Sequence, residues 1–213
     1  MYQGSVKSIF MQYAVPQMIG LVFNSVYWIV DGVFIGVRLG SNALAAAGVA
    51  VPAVELHIAI STAVTAGACV LVSGRLAVDD REGAVSAFNT CMMAQGAVVL
   101  FIVFAGNVWI DQMVAMLGAT PEIHDMTATY LRYVLTFSPL LIFSYLLDGL
   151  ARNDGAPTHA MVAMTIGSLS NIVLDYVLMY PLNMGIGGAA LASGIGPGVT
   201  VVIILPHFLL KKD

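Results

Sequence analysis

Six stretches of about twenty or more mostly apolar residues follow one another along this chain of 213 residues, with only short polar breaks between them. A helix needs about 20 such residues to cross a hydrocarbon core about 30 Å thick. The breaks place spans near 10–37, 45–73, 84–107, 127–150, 157–180 and 186–209. The chain is therefore predicted to be an all-α membrane protein of six transmembrane helices. Composition closes the alternatives. Charged residues make up 9% of the chain, where a soluble domain carries about 25%. Disorder would need low hydrophobicity and high net charge. A net charge of −4 with no basic patch argues against nucleic acid as a partner. Cys69 and Cys91 lie in apolar stretches without metal spacing and read as small buried hydrophobes. The first apolar run is too long for a signal-peptide core and reads as a retained helix.

The breaks carry turn chemistry. Arg38-Leu39-Gly40-Ser41-Asn42, Asp79-Asp80-Arg81-Glu82-Gly83 and Tyr180-Pro181-Leu182-Asn183 are three of them. Thr120-Pro121-Glu122 reads as a capped helix start with proline in the first turn. Lys7, Arg75, Arg81, Arg152, Lys211 and Lys212 fall on one side, and Arg38 and Arg132 on the other. The positive-inside rule then puts both termini in the cytoplasm. Pro16, Pro52, Pro139 and Pro197 lie within spans, where each removes a backbone hydrogen bond and permits a kink. An internal echo links the two ends of the chain. Asn24, Asp31 and Ala43-Leu44-Ala45 are matched in order by Asn171, Asp175 and Ala190-Leu191-Ala192. Such duplication is common in transporters.

Most of the twelve acids fall in breaks or at helix ends and read as solvated. Asp148 stands four residues before Arg152, the spacing of a helix-surface ion pair. Asp31, Glu55 and Asp175 remain inside spans. A carboxylate there costs about 2.5–3.5 kcal/mol or more, and marks a functional site by default. Asp31 and Asp175 sit at similar depth, each about 7–9 Å below the outer end of its helix. Asn171 is one turn from Asp175 on the same face, and Ser193 comes to about the same level on the sixth helix. Two carboxylates, a carboxamide and a hydroxyl with no neighbouring base can take up either a proton or a hard cation such as Na+. Asn24 lies on the Asp31 face of the first helix. Glu55 is deep in the second, with a possible place in a central cavity.

The chain resembles the multidrug and toxic compound extrusion (MATE) transporters. The first hairpin carries Ala14-Val15-Pro16, Tyr27-Trp28-Ile29-Val30-Asp31-Gly32 and Leu39-Gly40-Ser41-Asn42-Ala43-Leu44-Ala45. Met116-Leu117-Gly118-Ala119-Thr120-Pro121-Glu122 and Leu150-Ala151-Arg152-Asn153-Asp154-Gly155 follow. Asn171-Ile172-Val173-Leu174-Asp175-Tyr176 and Gly185-Ile186-Gly187-Gly188-Ala189-Ala190 complete the series. The resemblance implies the N-terminal six-helix lobe of a twelve-helix, two-lobe exporter in a bacterial or archaeal plasma membrane. It implies exchange of cationic amphipathic drugs for Na+ or H+, without enzymatic activity or a cofactor. It places the coupling ion at Asp31, Asn171, Asp175 and Ser193, a position usually held by Thr, and helix bending at Pro16. Asn24, Tyr27, Glu55 and Met164 are the candidate substrate-cavity residues. The second lobe would come from a missing C-terminal half or another chain. Rival readings are a lipid-linked saccharide flippase of the same superfamily, which the acidic interior disfavours, and a non-transporting half-size subunit. An intramembrane aspartyl protease is disfavoured because Gly-x-Gly-Asp is absent from the sequence.

Overall fold

The computed structural model describes residues 6–210, all seven elements of which are helices. They are α1 (Val6–Leu39), α2 (Ser41–Ala77), α3 (Arg81–Val108), α4 (Ile110–Met116), α5 (His124–Asn153), α6 (Pro157–Met179) and α7 (Gly185–Leu210). Lys211, Lys212 and Asp213 lie outside the described residues. The six long helices are the six predicted spans, and each is long and apolar enough to cross a membrane. Several run three or four residues beyond the predicted ends. Backbone hydrogen bonding continues into the interface after the apolar pattern has stopped.

Local chemistry sets the breaks. One residue, Gly40, separates α1 from α2 with φ 87° and ψ −177°. That conformation is essentially reserved for glycine, so the hairpin can be this tight. Pro157 begins α6 at its first turn, where its missing N–H costs nothing. Two loop expectations need correction. Pro121 does not open α5: Thr120 to Ile123 form a turn closed by Ile123 N–H donating to the Thr120 carbonyl at 3.1 Å, and the helix begins at His124. The short helix α4 was not foreseen. Its Ile110 and Val114, four residues apart, are both buried and pin it to the bundle.

Asp80 caps α3. Its carboxylate accepts the Gly83 N–H at 2.8 Å and an Arg75 guanidinium hydrogen bond at 3.0 Å. First the backbone N–H, then the guanidinium, hold its pKa below the ordinary carboxylate value of 3.8. A depressed folded-state value means stability that is present above the unfolded value and lost as pH falls through the folded one. Hydrogen exchange at the Gly83 amide is therefore expected to stay protected at neutral pH and to speed up, beyond the intrinsic pH trend, only once pH drops below 3.8. Asp80→Asn should weaken that pH dependence.

The helix α5 is the central post, packed against α2, α3, α4, α6 and α7. Helix α1 leans mainly on α6. One end of the bundle is filled by Ile35, Val54, Leu131, Leu135 and Met179 among others, and a smaller cluster is built around Ala163 and Ile204. Large apolar side chains face outward along α1 and α3, including Met18, Val22, Ile29, Leu100, Phe101 and Phe104. Such a surface far exceeds what water tolerates and fits hydrocarbon.

Candidate functional site in the membrane interior

Helix α6 lies between α1 and α7 and so gathers the predicted residues. Asp31 from α1 and Asn171 and Asp175 from α6 are all buried, Asp175 completely. The four-residue step puts Asn171 and Asp175 on one face. The Asp31 and Asp175 carboxyl groups lie close enough to feel each other's charge. Helix α7 comes close because residue 196 is glycine. A Cβ there would stand 2.8 Å from the Asn171 Cβ.

The hydrogen-bond accounting is unusual. Asp31 Oδ1, both Asp175 oxygens, Asn171 Oδ1 and Ser193 Oγ are buried without a protein hydrogen-bond partner. An unpartnered buried polar atom costs about 1–3 kcal/mol, and more when charged. Two adjoining carboxylates also repel. A shared proton, or a cation ligated by the surrounding oxygens, relieves both costs at once. Among the described residues no three His, Cys, Asp or Glu side chains form a group able to hold a metal ion. The donor set is neutral and anionic oxygen, suited to a hard monovalent ion or a proton.

Tyr130 of α5 joins this cluster and was not foreseen. It is buried within electrostatic reach of Asp31 and Asp175, and its hydroxyl stands beside Ser193. A tyrosine in a span reads from sequence as an interfacial anchor; only the rotation of α5 shows that this one points inward.

A small cavity opens beside Asn171. Asn24, Tyr27 and Met164 line it, together with Ser144, Tyr145 and Asp148. Its volume is about 30 Å³, enough for a water molecule or two and far below the 300–1,000 Å³ typical of ligand pockets. Glu55 does not line it. It is exposed on α2, within electrostatic reach of Tyr145. Pro16 lies inside α1, which runs on through it as one helix. One turn further, Gly20 passes close to Met164 and Arg152: a Cβ there would be 3.1 Å from Met164 Sδ and 3.7 Å from an Arg152 nitrogen.

Ion pairs and aromatic contacts close the two ends. Arg152 grips Asp148 with two hydrogen bonds, at 2.8 and 3.0 Å, the pairing expected from their spacing. Asp154, expected to be a solvated loop acid, is instead half-buried and paired with His207 at 2.8 Å. At the other end Arg38 donates to Asn183 Oδ1 at 3.1 Å and lies over the Tyr180 ring, 5.6 Å from its centroid. That contact ties the end of α1 to the α6–α7 turn above the aspartates.

Known proteins agree with this architecture. Residues 16–177 match the family model MatE. The multidrug export protein MepA of Staphylococcus saprophyticus subsp. saprophyticus is 28% identical over 99% of this chain and 47% of its own length. A solved MOP-superfamily transporter from Pyrococcus furiosus superposes with TM-score 0.90 at 28% identity, over 99% of this chain and 46% of that one. A MATE transporter solved in an inward-facing conformation gives 0.83 at 27% identity, over 92% and 46%. The chain thus spans about half the length of the relatives it matches. It belongs to the MatE family of multidrug and toxic compound extrusion transporters, and its six membrane-span candidates match about half of a solved member.

Proposed function

We propose that this lobe is the ion-coupling half of an exporter that trades Na+ or H+ for cationic, amphipathic compounds. The observation that carries the reading is the set of buried, unpartnered oxygens around Asp31 and Asp175, contributed by α1, α6 and α7. With the carboxylates charged, the site draws a cation. Once the cation is bound, the repulsion between α1 and α6 is removed and the helices close over it. Arg38, held by Asn183 and Tyr180, steadies the outer end of α1 during that closure.

The small cavity below is the substrate site in its contracted form. Its present volume excludes a drug-sized molecule, so loading requires α1 to move away from α6. Gly20, one turn beyond Pro16, is where α1 passes closest to Met164 of α6, so a bend there changes the cavity directly. Ion binding draws α1 in and substrate binding pushes it out. The two ligands are then mutually exclusive, which is the requirement for exchange. The proposed setting is the plasma membrane, with Arg75, Arg81 and Arg152 on the cytoplasmic side and a second six-helix lobe completing the cleft.

The test is efflux of a fluorescent lipophilic cation from vesicles containing the complete protein its gene encodes. Imposed Na+ and pH gradients are applied separately. Efflux driven by either gradient is expected, and the effective one names the ion. Equal efflux with and without both gradients would overturn the coupling role.

A further inference from the structure

A second, larger cavity lies away from the aspartates, at the end where α2 turns into α3. Its volume is about 480 Å³, within the range of ligand pockets, and parts of α2, α3, α5 and α7 enclose it. Its lining is graded along the membrane normal. At the mouth, at the helix ends, stand Arg81, Asn153 and Asp154; deeper, the walls are mostly apolar, with Asn89 beside Val85, Phe88 and Leu150. Phe208 of α7 meets Phe88 of α3 at 5.7 Å between ring centroids and closes one side.

The charges at the mouth are not equivalent. Asp154 is already met by His207 at 2.8 Å. Arg75 in the neighbouring turn is held by Asp80 at 3.0 Å. Arg81 has no ion pair or hydrogen bond among the described residues. One free guanidinium therefore stands at the interface over an apolar pocket. A guanidinium matches phosphate oxygens in charge and fork geometry. A free phosphate would leave the apolar walls uncovered, whereas a phospholipid covers both, with its phosphate at Arg81 and an acyl chain against Phe88 and Leu150. Pockets of this kind between transmembrane helices hold lipid headgroups.

We propose that this pocket is a phospholipid-binding site, with Arg81 as its phosphate ligand and the Phe88–Phe208 pair as its chain contact. The site is separate from the ion-coupling reading and depends only on the bundle lying in a bilayer. A bound lipid here bridges α3 and the C-terminal end of α7.

The test uses the complete protein, extracted in mild detergent and examined by native mass spectrometry. The wild type is expected to retain a phospholipid. Arg81→Gln should lower the retained fraction about fivefold, the effect of one basic residue at a membrane surface. Val85→Trp, at an exposed position of the pocket wall, should fill the space and expel the lipid. Arg75→Gln should leave retention unchanged. In a Trp28→Phe/Trp109→Phe background, the indole introduced by Phe88→Trp should be quenched by brominated phospholipid. Wild-type retention in both Arg81→Gln and Val85→Trp would overturn the proposal. So would an equal loss in Arg75→Gln. An unquenched indole would mean that polypeptide, from beyond residue 210 or from a partner, fills the pocket instead, and would also overturn it.

Discussion

Asp175→Asn is expected to abolish ion-driven efflux while leaving the protein folded, and Asp31→Asn to do the same. Both side chains are buried against each other in a site whose other oxygens lack partners. Asparagine keeps the shape and removes the charge. A charge-assisted contact contributes about 1.5–3 kcal/mol, so ion affinity should fall roughly 10- to 100-fold. Stability moves the other way. An uncompensated buried carboxylate is a cost to the fold, and the amide reduces it. In ion-free buffer the variants should unfold no earlier than the wild type. A bound ion stabilises the wild type by mass action, about 2.7 kcal/mol at a hundred times its dissociation constant. The variants should lose that ion-dependent rise in thermal midpoint. Asp125→Asn, at a fully exposed carboxylate beside His124, is the control and should change neither readout. Efflux at the wild-type rate in either buried-site variant would remove the aspartates from the mechanism.

The six spans and the two buried aspartates could be read from sequence because length and depth are properties of a single helix. Counting residues from a helix end gives depth directly. It does not give facing, which depends on neighbours. Glu55 shows the limit: its depth in α2 made it a cavity candidate, but depth alone could not show that it stands exposed, outside the small cavity's lining, within electrostatic reach of Tyr145. Tyr130 is the opposite case, an aromatic on α5 brought to Ser193 by the direct packing of α5 on α7. Asp154 looked solvated because its partner, His207, is 53 residues away and meets it only when the last turn of α7 returns to the α5–α6 loop. The helix α4 escaped notice because seven residues give too little periodicity and follow directly on the apolar run of α3. Thr120-Pro121-Glu122 has the composition of a helix cap, but the same residues also suit the turn they form. Local composition could not choose between the two.

Removing the guanidinium that holds Asp148 should be the most damaging single change at the inner end of the cavity. Asp148 and Arg152 are paired by two short hydrogen bonds, and their side chains are only 18% and 14% exposed. Taking away one partner of a buried pair typically costs about 3–5 kcal/mol, because the remaining charge stays desolvated. Arg152→Gln should therefore lower the thermal midpoint strongly and reduce the yield of folded protein. The double replacement Asp148→Asn/Arg152→Gln should recover most of that loss, since it leaves no lone charge. The rescue separates charge pairing from packing: if the packing of the Arg152 side chain beside Gly20 mattered more than its charge, the double variant would remain as unstable as the single one. The same cycle reads function. Asp148 lines the cavity and Arg152 neutralises it, so the rescued double variant keeps a neutral floor. It should bind a lipophilic cation about as well as the wild type and still respond to the ion gradient. Arg152→Gln, expressed at low temperature to preserve folded material, leaves the Asp148 carboxylate open to the cavity. It should hold the cation about tenfold more tightly, the gain of one charge contact, and release it correspondingly slowly. Unchanged cation affinity in folded Arg152→Gln protein would show that the Asp148 carboxylate does not reach the substrate.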